Sequence, residues 1–88
     1  MGAPKREASK VLADNLFVLR LNKHKTLRDV AADTGITFQS LNYYETGLKE
    51  PRLVTAIKLA KYYGVTVEDL YYKDIECVAK PTKWEGSL

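Results

Sequence analysis

The residues of this chain best equipped for chemistry are two carboxamides, Gln39 and Asn42, in the stretch FQSLNYYE at 38–45. Each amide donates and accepts hydrogen bonds at once, so two of them three residues apart on a helix can read an edge that offers both. Phe38, Ser40 and Tyr43 stand beside them and add an aromatic face, a hydroxyl and a phenol. That is the chemistry of recognition, made of non-covalent contacts. Covalent chemistry has little to work with, because the chain holds one cysteine, Cys77, and one histidine, His24. An intramolecular disulfide is impossible, a Cys/His metal site lacks ligands, and no glycine-rich phosphate loop is present. His24 lies in NKHKT among charges and reads as a solvated helix end, while Cys77 in DIECVA reads as packing rather than as a nucleophile. No catalytic site, cofactor or metal is expected.

A helix must present those amides, and the sequence supplies its borders. Thr37 offers a hydroxyl to cap a helix from Phe38 to about Glu45, which buries Leu41 and Tyr44 and closes at Gly47. Before it, Thr26 with Asp29 three positions on makes a short-armed capping box for a helix from about Leu27 to Thr34, ended by Gly35. That helix buries Leu27 or Val30 together with Ala31, and the small Ala31 lets the two helices meet at a tight corner plugged by Ile36. Upstream, Val11, Leu12, Leu16 and Leu19 recur at helical spacing and predict a helix from about Ala8 to Lys23. Downstream, a helix starts near Pro51–Leu53, and its Leu53, Ala56, Ile57, Leu59, Ala60 and Tyr63 run nearly all round it, which predicts the most buried helix of the fold. Gly64 ends it, and Thr66 with Asp69 repeats the capping device for a short helix over about Val67 to Tyr72. Beyond Lys73 the pattern fades into DIECVAKPTKWEGSL, which allows a short strand at Ile75–Val78, a docked arm or a disordered tail. The expected fold is all-α with five helices: a flexible N-terminus over 1–7, the domain over 8–72, and a C-terminal arm or tail over 73–88.

At 88 residues the chain makes one domain with a single small core. Its 45% hydrophobic and 28% charged residues are an ordinary globular mixture. No apolar run approaches the roughly 18 residues that cross a bilayer. The start MGAPKREASK lacks the apolar centre of a secretory signal, and Arg6 stands where a myristoylation motif expects Ser or Thr. Together with the cysteine usage, this predicts a reducing, cytoplasmic setting. The charge is unevenly placed. Met1 to Arg52 holds nine Lys and Arg against six Asp and Glu, a surplus of three, whereas Leu53 to Leu88 holds five of each. The surplus sits on the half with the two hinged helices and permits a polyanionic partner.

From about Leu16 to Leu70 the chain resembles the helix-turn-helix DNA-binding domain of the phage repressor and Cro type, the XRE family. The likeness is carried by TLRDVAADTGIT, similar to the family's capped second helix and glycine turn, by LNYYETG at the end of the third, and by PRLVTAIKLAKYYGVTVEDLY over the fourth and fifth. The resemblance implies a transcriptional regulator, repressor-like and non-enzymatic, whose third helix enters the major groove of double-stranded DNA. Base readout would then fall to Phe38, Gln39, Ser40, Asn42 and Tyr43, with the two amides matching adenine's N6 and N7 and no arginine in the helix to grip guanine. Phosphate contacts would come from Thr26, Leu27, Arg28, Thr37, Lys49 and Arg52, at helix starts and in the loop that follows. The resemblance also implies an ion pair between Arg20, late in the first helix, and Glu45, a structural clamp under the third.

The chain departs from the family at two positions: Leu27 replaces a common glutamine, and Phe38 a common arginine or glutamine. Side by side they would form an apolar patch. A second function is therefore weighed, an antitoxin-like or adaptor module that meets a protein through the same fold. The leading expectation is a homodimer on a palindromic site, with the tyrosines of KYYGV and DLYYKD, Val67 and Leu70 as its apolar surface, and Ile75 to Trp84 as a further arm. No membrane association and no small-molecule ligand are implied.

Overall fold

The computed structural model describes residues 3–78, with side chains from Lys10 onward. Five helices follow one another: α1 (Ala3–Asn22), α2 (Leu27–Thr34), α3 (Phe38–Thr46), α4 (Leu53–Tyr63) and α5 (Val67–Tyr72). No strand occurs among the described residues. The core draws on every helix: Leu12, Leu16 and Leu19 from α1, Val30 from α2, Leu41 from α3, Leu59 and Ala60 from α4, and Leu70 from α5. Each fully buried leucine contributes roughly 2 kcal/mol of hydrophobic stabilisation. α1 packs against α5 and α3, and α2 bridges α3 and α4.

The helix borders follow from the caps. Thr26 and Thr66 both close complete capping boxes, with Asp29 and Asp69 returning the hydrogen bond to the cap backbone. At the corner between α2 and α3, Gly35 sits at φ 80°, and its N–H bonds the carbonyl of Ala31. A residue with a Cβ would be strained in that left-handed conformation. At the end of α1 the same conformation is taken by His24, at φ 56°, one of the few residue types besides glycine that tolerates it.

Three expectations are corrected. α1 begins at Ala3 rather than at Ala8, with Pro4 in its first turn where a missing N–H costs nothing, so it takes up most of the stretch 1–7. α4 is not buried all round: Ala56, Leu59 and Ala60 face the core, but Leu53 and Ile57 are 69% and 37% exposed. The long apolar list on α4 concealed two faces, and among the described residues only one of them is covered. Of the expected dimer surface, Leu70 is fully buried and Tyr62, Tyr63, Val67 and Tyr71 pack against the core, while Tyr72 alone of that set is largely exposed, at 75%. Of the three alternatives left open beyond Lys73, residues 73–78 take the docked arm.

Two asparagines hold that arm. The Asn15 side chain is 3% exposed. Its Nδ2 donates to the carbonyls of Leu70 at 2.9 Å and Lys73 at 2.7 Å, and its Oδ1 accepts from the Ile75 N–H at 3.3 Å. Seven residues on, Asn22 donates to the carbonyl of Glu76 at 3.0 Å and accepts from the Val78 N–H at 2.8 Å. The two spacings agree. Seven helical residues rise about 10.5 Å, and the three extended residues from Ile75 to Val78 span about 10 Å. Trp84, expected in the arm, lies outside the described residues. Among the described residues no helix is long and apolar enough to cross a membrane.

Candidate nucleic-acid interface

α3 is anchored on its inner side. Leu41 is 3% exposed in the core, and Tyr44 packs against it. The Thr37 hydroxyl accepts the Ser40 N–H at 3.1 Å and fixes the start of the helix. At the other end, Arg20 reaches across from α1. Its Nε donates to both Glu45 carboxylate oxygens, at 2.9 and 3.2 Å, and its Nη2 donates to Oε1 at 3.0 Å. Its Nη1 donates to the Lys25 carbonyl at 3.0 Å, tying in the α1–α2 turn as well. The hydrogen bonds that Arg20 donates to Glu45 raise its pKa above the ordinary value. Burial, assisted by the charge of Glu45, pushes the nearby Tyr63 phenol up. One guanidinium thereby sets the angle between α1 and α3.

A second set of contacts, not foreseen in the sequence, fastens α2 to α4. The Tyr62 hydroxyl donates to Asp33, Lys25 pairs with the same carboxylate at 3.4 Å, and the Lys58 ammonium donates to the Thr34 carbonyl at 3.0 Å. The Tyr62 bond, with help from Lys25, holds the Asp33 carboxyl below the usual range. Burial and then Asp33 push Tyr62 up to about 12. Lys25 and Lys58 are thus occupied in holding the corner together. Only the chemical types of these residues are visible in sequence, since their partners lie up to 29 positions away.

The outer side of α3 carries the remainder. Gln39 and Asn42 are exposed, Phe38 is half-exposed, and Ser40 and Tyr43 are half-buried. The Arg28 guanidinium lies over the Phe38 ring, 5.4 Å from its centroid. The Lys49 ammonium lies over Tyr43 at 5.1 Å. Gln39 Nε2 donates to the Tyr43 hydroxyl at 2.9 Å. The expected Leu27–Phe38 patch is broken up, because Leu27 packs against the core and Arg28 covers Phe38. Leu27 can therefore offer a phosphate only the backbone amide of a first helical turn. Thr26, Arg28, Thr37, Lys49 and Arg52 are all exposed, at the starts of α2 and α3 and between α3 and α4. The hydroxyl oxygen of Thr26 accepts the Asp29 N–H at 3.1 Å, as Thr37 does for Ser40, so both keep a proton to donate outward.

Two short helices, a left-handed glycine between them, and a polar outer face on the second make a helix-turn-helix. Residues 18–70 match the family described as Helix-turn-helix. An uncharacterised HTH-type transcriptional regulator of Methanocaldococcus jannaschii is 38% identical over 66 residues, which are 74% of this chain and 100% of that protein. The chain belongs to the XRE-type helix-turn-helix family. The cryptic phage CTXphi transcriptional repressor RstR, from Vibrio cholerae, is 36% identical over 52 residues, 59% of this chain and 47% of that repressor. No solved structure matches the chain significantly. In this helix-turn-helix chain α2 and α3 form the motif, and α1, α4 and α5 are the scaffold behind it.

Proposed function

We propose that this helix-turn-helix protein is a cytoplasmic, repressor-like regulator that binds double-stranded DNA sequence-specifically and lays α3 in the major groove. One observation carries the reading: α3 keeps Gln39 and Asn42 exposed on one side while Leu41 and the Arg20–Glu45 pair fix the other. A helix held that firmly presents its amides at a defined angle, which base readout requires. In this reading Gln39 and Asn42 meet adenine edges, Phe38 a thymine methyl, Ser40 a base or phosphate, and Tyr43 a phosphate. Arg28, Lys49, Arg52, the two threonine hydroxyls and the Leu27 amide grip the backbone. Two copies would set their α3 helices about 34 Å apart on a palindromic site. Tyr72 of the expected surface stays exposed for that contact, and so do Leu53, Val54 and Ile57, which share one side of α4.

Those same three residues favour the second reading, docking of an unlike protein in an antitoxin-like or adaptor role. Salt separates the two. Binding to duplex DNA should weaken with a log–log slope of about −0.9 per phosphate neutralised, and Lys49→Ala or Arg28→Ala should each reduce the slope by about one. An apolar protein contact does not weaken with salt in this way. DNA affinity that is weak and flat across salt concentrations would reject the regulator reading.

A further inference from the structure

Gln39 does not stand alone on α3. The N–H groups of Leu48 and Lys49 converge on the Tyr43 carbonyl, at 3.0 and 3.3 Å, and fold the loop back against the end of the helix. That brings the Lys49 ammonium over the Tyr43 ring. The same tyrosine, one turn after Gln39, accepts a hydrogen bond from its Nε2 on the phenol oxygen. Loop lysine, aromatic ring and amide form one connected unit.

We infer that Tyr43 is a positioning residue that sets the base specificity of Gln39, orienting its amide so that it accepts adenine and rejects guanine. The inference rests on the base-reading role proposed above. A primary amide has two N–H groups and one carbonyl oxygen. With one N–H committed to Tyr43, the amide's rotation is restricted, and the groups left to meet a base are the carbonyl oxygen and the other N–H. Adenine presents an N6 donor and an N7 acceptor in the major groove, and this remaining pair satisfies both. Guanine presents two acceptors, O6 and N7, so the carbonyl oxygen would meet O6 with no proton between them. Without the phenol the amide can turn over and offer both N–H groups to guanine. The phenol's own proton is not used in accepting from Gln39 and stays available to a phosphate.

The test compares dissociation constants for duplexes that differ only as adenine or guanine at the half-site position whose preference Gln39→Ala abolishes. The intact protein should favour adenine by about tenfold or more, and Tyr43→Phe should cut that ratio to about threefold or less. In the Gln39→Ala background, Tyr43→Phe should leave the ratio unchanged. Phenylalanine keeps the ring under Lys49, so an unaltered melting temperature checks that the fold is intact. If Tyr43→Phe weakens both duplexes equally, Tyr43 is only a phosphate contact and the inference is overturned. A guanine preference in the intact protein would overturn it too, since the amide would then face the other way. If no position responds to Gln39→Ala, it is the base-reading role itself that fails, and the inference falls with it.

Discussion

Glu45→Ala should destabilise the fold by about 3 kcal/mol, and a double replacement of Arg20 and Glu45 by Met and Leu should cost less than the single change. Both partners are largely shielded, with side chains 13% and 8% exposed. Removing the carboxylate leaves a guanidinium that cannot deprotonate and whose remaining bond is to the Lys25 carbonyl. A shielded charge deprived of its partner costs about 3–5 kcal/mol when fully buried, and the residual exposure places this pair at the low end. Replacing both partners by apolar side chains of similar volume removes the stranded charge along with the pair. For a domain of this size 3 kcal/mol lowers the melting temperature by on the order of 15 °C. Thermal unfolding of the wild-type, single and double variants reads the ordering directly. If the single variant proves no worse than the double, the pair is not a clamp.

Asn15→Ala should be nearly as damaging, by about 2–3 kcal/mol, because it leaves the Leu70 and Lys73 carbonyls and the Ile75 N–H without their partner in a mostly buried site. Asn15→Asp should be worse still, since it turns a donor into an anion facing those carbonyls. Asn22→Ala, which breaks exposed bonds of the same kind, should cost under about 1 kcal/mol. Release of the arm gives a second readout: trypsin should cut after Lys73 faster in Asn15→Ala than in the wild type. Equal melting temperatures for the Asn15 and Asn22 variants would mean that burial at Asn15 contributes nothing.

Elements with local causes were legible in the sequence. The caps at Thr26, Thr37 and Thr66 and the glycine at 35 act over three or four residues, so α2, α3 and α5 start where their letters say. What escaped the sequence depends on distance. Asn15 sits in the middle of an apolar stripe, and its reason for being there is a set of backbone groups 55 to 60 residues away. The exposure of Leu53 and Ile57 follows from how few elements cover α4, which no pattern within α4 can reveal. The outer residues of α3 could be named by subtracting its core positions. The links among them, Gln39 to Tyr43 and Tyr43 to Lys49, needed the fold of the loop at 47–49. Arg20 and Glu45, 25 positions apart, were paired only through resemblance to a family.

Whether α3 reads bases is decided by selection from a random duplex pool. Sequences retained by the protein are enriched over several rounds and rebound at two salt concentrations. The expected product is an inverted repeat rich in A·T, its half-sites about one helical turn apart, with a preference that persists at the higher salt. A single enriched half-site would support readout while removing the homodimer. If the pool emerges unchanged and every duplex binds with the same weak, salt-sensitive affinity, Gln39 and Asn42 do not read bases and α3 is not a recognition helix.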